Sequence, residues 1–243
     1  MNHFLTHRLA AIGSAALAAA TLTACTITTD GFIEVDPGNR VTESREITEV
    51  SSVVLKTSGN LRLTVGEPSL TITAGERALE RLTTTIHGDT LEIDLTGRWG
   101  NPGRIDYDLV LPELDTISIQ GSGAVAGEVA PGDRLTIDIS GSGQVQLDPV
   151  DVSDVAVSIS GSGSVSLEGQ TETLAVSLPG SGNFAGHDVL ARSAVVSISG
   201  SGRADVNASQ TLDASIAGSG QISYLGDPRV TSNITGSGSV REA

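Results

Sequence analysis

The sequence contains few aromatic residues, few basic residues and a single cysteine. Phe, Trp and Tyr together contribute six of the 243 residues, so a core built around large rings is excluded and the interior must be aliphatic. Lysine occurs once, as Lys56, and cysteine once, as Cys25. A lone cysteine has no partner for an internal disulfide, so none is expected here.

The chain is also strongly acidic. Lys plus Arg total 14 and Asp plus Glu total 29, which gives a net charge of −15. The segment 1–24 contains one of the basic residues, Arg8, and none of the acidic ones, so the remainder carries −16. A surface of this sign repels phosphate backbones, which argues against nucleic acid as a partner. It also disfavours direct adsorption to anionic lipid.

The N-terminal segment has the features of an export signal. Its hydrophobic run, Leu9–Leu22, has 14 residues, whereas a transmembrane helix needs about 20. The run follows the positive charge of Arg8, as in a signal peptide. We therefore predict that residues 1–24 are a signal peptide that is removed after export.

The end of this segment, Leu22-Thr23-Ala24-Cys25, resembles a lipobox, which is an aliphatic residue and two small residues followed by a cysteine. We expect processing to acylate Cys25 and to leave it as the new N-terminus. Several acyl chains would then anchor the protein to the cell membrane or outer membrane, outside the cytoplasm. The alternative is an ordinary secretory cleavage site beside an unrelated cysteine. Residues 25–40 are predicted to form a flexible tether, punctuated by glycine and proline.

Apolar and polar residues alternate after the tether. In the segment 53–65, one parity carries the aliphatic side chains Val53, Leu55, Leu61, Leu63 and Val65. Segments 91–95 and 105–111 alternate in the same way. A period of two is typical of half-buried strands. We expect residues 41–243 to form a single all-β domain.

The most informative feature is a repeated tripeptide, Gly-Ser-Gly. It occurs seven times, at intervals of 20, 20, 19, 20, 18 and 18 residues, with its first glycine at Gly121, Gly141, Gly161, Gly180, Gly200, Gly218 and Gly236. Aliphatic residues recur at fixed offsets, such as Ile137, Ile139 and Val145 around Gly141. A degenerate copy, Thr57-Ser58-Gly59, extends the pattern towards residue 50.

The aliphatic residues and the glycines of each motif share one parity, so an extended chain running through the motif directs them to one side and the serines to the other. We expect the glycines where the chain turns or packs closely. A repeat of about 20 residues suits one coil of a β-solenoid whose successive coils pair in parallel, with residues 116–243 as its regular part. The alternative is an antiparallel arrangement with each motif as a hairpin loop.

These coils, preceded by the segment Val53–Val65 and a strand at Leu91-Glu92-Ile93, resemble a bacterial family, the auto-transporter adhesin head domain called the GIN domain. The resemblance covers about residues 48 to 240. It implies a right-handed β-helix, export to the cell envelope and no established enzymatic activity.

The repeats lack a catalytic pattern. The outward residues three positions before each first glycine are Ser118, Asp138, Ser158, Ser177, Ser197, Ser215 and Asn233. A repeated carboxylate pair is therefore absent. The motif serines have no repeated base beside them and are interpreted as a hydroxyl ladder. His87 and His187 adjoin glycines and are expected on the surface or in loops. We expect no catalytic residue, no cofactor and no metal.

Two further segments carry candidate contact residues. Asp148, Asp151 and Asp154 lie around Pro149, but their spacing matches no known calcium loop, so exposed charges are favoured over a Ca²⁺ site. Residues 96–104 form the least regular stretch and include Arg98, Trp99 and Arg104. A Trp flanked by arginines can stack on a sugar or anchor a protein contact. Otherwise Trp99 caps one end of the aliphatic stack.

Three functions fit these features. The first is a non-enzymatic envelope lipoprotein that presents a neutral Ser, Gln and Asn face and the Trp99 loop to a glycan or an envelope protein, for adhesion or assembly. The alternative is a carbohydrate-active solenoid with its site off the repeat face. The third is a structural spacer or a sensor-associated module with no ligand. Because the end of a solenoid is an open sheet edge, we also expect self-association into a homo-oligomer through the ends.

Overall fold

The computed structural model describes residues 38–97 and 102–243, whose regular secondary structure is β-strand except for one short helix. These residues belong to one compact unit. Its elements in chain order are β1 (Arg40–Arg45), β2 (Ser52–Leu55), β3 (Asn60–Val65), β4 (Ser69–Gly75), α1 (Glu76–Leu79), β5 (Leu82–His87), β6 (Thr90–Leu95), β7 (Asp106–Leu111), β8 (Thr116–Ile119), β9 (Ala124–Gly127), β10 (Gly132–Ile139), β11 (Gln144–Ile159), β12 (Ser164–Leu178), β13 (Asn183–Ile198), β14 (Arg203–Gly218), β15 (Gln221–Leu225), β16 (Arg229–Gly236) and β17 (Ser239–Glu242).

The repeats stack as parallel coils. β10 pairs in parallel with β8 on one side and with β11 on the other, which places Ile137 opposite Ile117 and Val157. The same pairing continues from β11 to β12, β13 and β14, and then to β15, β16 and β17. The predicted β-solenoid is therefore confirmed, and the alternative in which each motif closes an antiparallel hairpin is wrong.

The interior is an aliphatic stack. Ile139, Ile159 and Ile198 occupy equivalent places in different coils, and each is at most 1% exposed. Burying such a side chain contributes about 1.5 to 3 kcal/mol, so the coils are held together chiefly by these contacts. Tyr107 and Phe184 are the two aromatic side chains among the largest fully buried ones.

Each Gly-Ser-Gly motif forms a corner of the solenoid. β10 ends at Ile139 and β11 begins at Gln144, so the chain bends at the motif instead of running through it as a strand. A side chain at Gly141 would overlap the carbonyl oxygen of Gly121, and a Cβ on Gly143 would lie 2.6 Å from Ile119 Cγ2. The prediction that the glycines mark close packing at a turn is confirmed.

Backbone hydrogen bonds continue from coil to coil through the corners. The N–H of Ser142 donates to the Gly121 carbonyl oxygen at 3.2 Å, and the N–H of Ser162 donates to that of Gly141 at 3.1 Å. The motif serine side chains in these corners are exposed. The corners thus combine a continuous backbone ladder inside with the predicted row of hydroxyls outside.

The degenerate motif at Thr57-Ser58-Gly59 belongs to a genuine coil. β2 pairs in parallel with β8, with Val53 opposite Ile117, and β3 pairs in parallel with β9, with Leu61 opposite Val125. On their other side, β2 and β3 pair in parallel with β6 and β7. The coil β2–β3 therefore lies in space between β6–β7 and β8–β9, although it precedes both in the sequence.

Antiparallel strands and the helix close the solenoid beside β6 and β7. β5 pairs antiparallel with β6, β4 with β7, and β1 with β4. Ala78 and Leu79 of α1 are buried against the core. We call this the capped end. β1 begins at Arg40, the last residue assigned to the tether, and residues 25–37 of that tether lie outside the described part of the chain.

The opposite end, formed by β16 and β17, has a different surface. Ile234 of β16 is 41% exposed. Ile216, the residue in register with it in the preceding coil, is 1% exposed. We call this the open end.

Candidate binding groove

A groove of about 660 Å³ lies on the outer side of β3, β7 and β9. We call it the β9 groove. Its charged and amide lining residues are Arg40, Asn60, Arg62, Arg104, Asp106, Asp108, Glu128 and Asp148, and its small ones include Ala124 and Ala126.

The β9 groove arises from the sizes of side chains in register. Ala124 lies between Asn60 and Gln144 of the adjacent coils, and Ala126 lies in the same way next to Arg62. Side chains of neighbouring coils point the same way at paired positions, so the two alanines form a low floor between longer polar side chains. The arginines lie on one bank, and Glu128 and Asp148 lie on the other.

Asp106 organises the basic bank. Its carboxylate accepts hydrogen bonds from Arg40 Nη2 at 2.7 Å and from Arg104 Nε at 2.9 Å. Asn60 Nδ2 also donates to it, at 3.2 Å. Arg40 Nη1 donates to the carbonyl oxygen of Arg104 at 3.0 Å. The Asp106 carboxylate in β7 thus connects three other parts of the chain, which are β1, β3 and the segment before β7.

This carboxylate is held ionised. Burial alone would raise the pKa of Asp106, but the hydrogen bonds from Arg104, Asn60 and Arg40 outweigh it and lower the pKa below the ordinary value of 3.8. A carboxyl group in this state is a poor proton donor at neutral pH. Its chemical role is to position the two guanidinium groups.

The arginines retain donors for a ligand. Asp106 accepts a hydrogen bond from the Nε of Arg104, so the two terminal nitrogens of this arginine remain available to a ligand. The Arg104 side chain is 70% exposed. Arg62 is 76% exposed, and its Nη1 lies 3.8 Å from Asp108 Oδ1, a loose pair. Exposed pairs of this kind contribute little stability. Both guanidinium groups can therefore bind planar acceptors such as carboxylates or vicinal hydroxyls.

The structure places the predicted contact residues as follows. Arg104 is part of the β9 groove. Arg98 and Trp99 lie outside the described residues, as do Cys25 and the signal peptide. Among the described residues, no helix is both long enough and apolar enough to span a membrane.

Sequence reasoning missed Arg40, Asn60 and Asp106. No motif marks them, and Arg40 was assigned to the tether. Its position next to Arg104 depends on the antiparallel pairing of β1 with β4 and of β4 with β7. A repeat search cannot detect that pairing.

A row of exposed carboxylates lies at the corner that follows the groove. Its members, one in each of four successive coils, are Glu128, Asp148, Glu168 and Asp188. Glu168 pairs with Asp188. Glu128, Asp148 and Glu168 directly follow Gly127, Leu147 and Leu167, which are in register with one another, although the register shifts between Leu147 and Val150. We call this the acidic row. Its spacing matches the repeat and could have revealed it, but the sequence analysis grouped Asp148 with Asp151 and Asp154.

Asp148, Asp151 and Asp154 do not come together in one site. Asp148 lines the β9 groove, Asp151 accepts a hydrogen bond from Gln170 Nε2 at 3.0 Å, and Asp154 lies in register between Arg134 and Thr173. All three are exposed. In the described part of the chain, no group of three or more His, Cys, Asp or Glu side chains is placed to hold a metal ion.

The two histidines differ in their environments. His87 is the last residue of β5 and is exposed, as expected. His187 instead lies within β13 and is partly buried, so the expectation of a surface or loop position is wrong for it. Within the described residues its Nε2 atom is buried without a hydrogen-bond partner.

The neutral repeat face lies on the side of the solenoid formed by β8 and β10 and by the C-terminal parts of β11 to β14. Asp138 is in register with Ser118 and Ser158, and Ser177, Ser197 and Ser215 continue the row. The neighbouring row contains Ala156, Ala175 and Val195, and Val195 is 48% exposed. The pattern of its outward side chains is the one that the sequence predicted.

A stack of parallel coils with a polar groove on its outer side is the structure of a β-solenoid surface module. The chain belongs to the family described as "Putative auto-transporter adhesin, head GIN domain", which matches residues 49–228. This membership confirms the resemblance seen in the repeats, and it indicates an exported or cell-surface protein.

Solved structures share the fold. A putative adhesin from Bacteroides fragilis is 24% identical with a TM-score of 0.80, and the match covers 84% of this chain and 97% of that one. A putative lipid binding protein from Parabacteroides distasonis is 26% identical with a TM-score of 0.69, covering 85% and 97%. A putative adhesin from Parabacteroides merdae is 21% identical with a TM-score of 0.71, covering 85% and 98%. No curated protein matches the chain in sequence.

Proposed function

We propose that this protein is a lipid-anchored envelope protein that binds a glycan in the β9 groove without chemically altering it. The observation that carries the proposal is the basic bank, in which Asp106 holds Arg40 and Arg104 beside a floor of alanines. A binding function agrees with membership of an adhesin-like family.

The groove has the dimensions and chemistry of a site for an extended polar chain. Ala124 is flanked by two coils, and two spacings of about 4.8 Å make the floor about 9.6 Å wide. The banks carry guanidinium, amide and carboxylate groups, which recognise sugar hydroxyls and acidic sugar substituents by paired hydrogen bonds.

The state of Asp106 favours binding over turnover. Glycoside hydrolysis requires a carboxylic acid that is protonated near neutral pH, together with a second carboxylate. Asp106 has a lowered pKa and accepts hydrogen bonds from three residues, so it is a poor candidate for that acid. The carbohydrate-active alternative is kept as an outcome of the test.

The anchor is proposed at Cys25. Metabolic labelling with palmitate should label the wild-type protein, and Cys25→Ser should abolish the label and move the protein from the membrane fraction to the soluble fraction. Unchanged labelling of Cys25→Ser would contradict the proposed anchor.

The binding experiment compares groove variants on an array of envelope glycans, with release of reducing ends measured on the same glycans. We expect the wild type to bind, and we expect Arg62→Ala and Arg104→Ala to bind at least five-fold more weakly. Arg192→Ala is the matched control, because Arg192 is an exposed arginine that pairs with Glu172 away from the groove. Product formation would instead favour the carbohydrate-active alternative.

A lipid arm tests the other chemistry suggested by the comparisons. Because a similar chain from Parabacteroides distasonis is described as a putative lipid binding protein, vesicles of neutral and of anionic phospholipid are offered to the same variants. Binding to vesicles that Arg62→Ala and Arg104→Ala weaken, without binding to glycans, would overturn the glycan proposal in favour of a lipid headgroup.

A further inference from the structure

The open end exposes side chains that are interior everywhere else in the stack. Val230, Ile234 and Val240 lie in register with Leu212, Ile216 and Ile222, which are at most 1% exposed. Ile234 is 41% exposed, and Val230 and Val240 are partly exposed. The core therefore continues to the surface of the last coil as an apolar strip bordered by the polar backbone groups of β16 and β17. Such an edge can pair with another strand.

The two ends of the solenoid are not equivalent, and this determines how a second copy can bind. At the capped end, α1 covers the core through the buried Ala78 and Leu79, and the antiparallel strands β1 and β5 pair with β4 and β6 beside it. A head-to-tail contact would place the open end of one copy against this cover. The apolar strips of two copies can contact each other only if the two open ends face one another. This contact gives an isologous dimer with twofold symmetry.

The sequence of β16 is self-complementary for such a contact. A twofold axis reverses strand direction, so β16 of one copy would pair antiparallel with β16 of the other. With Ser232 on the axis, Val230 of each copy lies opposite Ile234 of the other, on the core side. On the outer side Thr231 lies opposite Asn233, so no charged side chains are brought together in the middle of the strand. The core side of β16 also carries Ser232, in register with the buried Ala214, so the two aliphatic cores meet around one serine from each copy.

We propose that two copies of this protein join through their open ends, and that they do so between facing membranes. The second half of this proposal rests on the proposed anchor at Cys25. The chain enters the solenoid at β1, which is part of the capped end, so the anchor holds that end towards the membrane. The open end then points outwards, where it meets the open end of a molecule on another surface.

The contact area is that of one coil, which is small for a stable protein interface. The affinity of a single dimer contact is therefore low. Many anchored molecules on facing membranes raise the overall avidity, because anchoring increases their effective concentration. The proposal thus predicts clustering of protein-coated membranes at concentrations where the free protein is monomeric.

The experiment attaches residues 25–243 through Cys25, the only cysteine, to vesicles that carry a maleimide lipid and no glycan. All the described residues belong to one compact unit, so this chain keeps the solenoid. Clustering is followed by dynamic light scattering. We expect wild-type vesicles to cluster and Ile234→Glu to reduce clustering at least ten-fold. Thr231→Glu adds the same charge to the outer side of the same strand and should change clustering less than two-fold.

A charge-swap pair tests the register and guards against misfolding. Vesicles with Val230→Glu alone, or with Ile234→Lys alone, should fail to cluster. A mixture of the two should cluster, because it joins the introduced carboxylate to the introduced ammonium group and keeps one native Val–Ile pair. Clustering of Ile234→Glu at the wild-type level, or a mixture that stays dispersed although both variants are folded, would overturn the proposal. Arg62→Ala/Arg104→Ala vesicles should cluster normally, so failure of the glycan proposal is scored separately.

Discussion

The hydroxyl oxygen of Tyr107 lies 2.8 Å from the Oγ1 of Thr57, inside the core. Tyr107 is 0% exposed and Thr57 4%. Thr57 occupies the place of the first glycine in the degenerate motif, and a Cβ on Gly59 would lie 2.7 Å from the Tyr107 ring. The tyrosine therefore fills the corner that a side chain at Gly59 would otherwise enter. One of the two hydroxyl groups donates a hydrogen bond to the other.

Removing one hydroxyl of this pair should destabilise the solenoid. Tyr107→Phe leaves the buried Thr57 hydroxyl without its partner, which should lower the free energy of unfolding by about 1 to 2 kcal/mol. Thr57→Val should have a similar effect, and the double variant should lose less than the sum. Urea unfolding measures all four proteins, and strictly additive losses would show that the hydrogen bond does not couple them.

The same tyrosine predicts an alkaline limit to stability. Burial raises the pKa of Tyr107 to about 12 from 10.0, although the hydrogen bond with Thr57 opposes the shift. The neutral form is favoured in the folded state, so its contribution is complete below pH 10 and is lost as the pH rises towards 12. The loss is about 1.4 kcal/mol per pH unit in this range. The difference in unfolding free energy between wild type and Tyr107→Phe should therefore shrink above pH 10.

The stacked corners predict unequal effects of alanine at glycine positions. Gly141→Ala would force a methyl group into the carbonyl oxygen of Gly121, so we expect a loss of at least about 3 kcal/mol or a failure to fold. Gly132→Ala is the control, because its Cβ would lie 4.0 Å from the nearest atom, the oxygen of Ala130. That variant should stay within about 1 kcal/mol of wild type. Thermal and urea unfolding of both would settle whether close stacking is the requirement.

The regular part of the fold follows from the sequence, and the capped end does not. Parity and the regular spacing of the Gly-Ser-Gly motifs predicted the parallel coils, because each coil repeats the contacts of the one before. The position of β2 and β3 between β6–β7 and β8–β9 has no such signal, since it depends on which edge of the first coil the later strands join. The antiparallel β1, β4 and β5 were missed for the same reason.

The groove was predictable only through one of its residues. Arg104 stood out because it adjoins an irregular, glycine-rich segment. Asp106 begins an ordinary strand, and Asn60 has the parity of any outward residue. Their meeting with Arg40 requires three strands brought together from distant parts of the sequence. A floor made of alanine carries no signal in a single chain, since small outward residues are common in every coil.

The acidic row predicts stability that depends on salt. Glu168 lies directly opposite Asp188 in register, and like charges opposite one another on a sheet are unfavourable. Glu168→Gln should therefore raise the free energy of unfolding by about 0.5 kcal/mol at low ionic strength and by less in concentrated salt. Glu172→Gln is the contrast, because Glu172 pairs with Arg192 at 3.2 Å, and its removal should give no gain. Equal effects of the two changes at low salt would contradict this prediction.

Asp106 should stabilise the basic bank in a pH-dependent way. Asp106→Asn removes the charge that holds Arg40 and Arg104, and we expect a loss of about 1 kcal/mol at pH 7. Because the pKa of Asp106 is lowered in the folded protein from 3.8, the wild type keeps this contribution at neutral pH and loses it as the pH falls below that value. The two proteins should thus converge in acid. Glycan binding by Asp106→Asn should also weaken, and a pH-independent difference in stability would exclude the charge as its cause.

The order of the coils in space bears on how the chain can fold. β2 contacts β8 on one side and β6 on the other, although β3 to β7 separate β2 from β8 in the sequence. The coil β2–β3 therefore cannot form all its pairings until the strands up to β9 are available. From β10 onwards, each new coil pairs only with the coil before it. We expect residues 52–127 to assemble first and slowly, because their contacts are non-local. The later coils should then add rapidly, one after another. Gains or losses of whole coils between β10 and β15 leave that starting unit untouched, and the length of the protein can change without a change in its beginning.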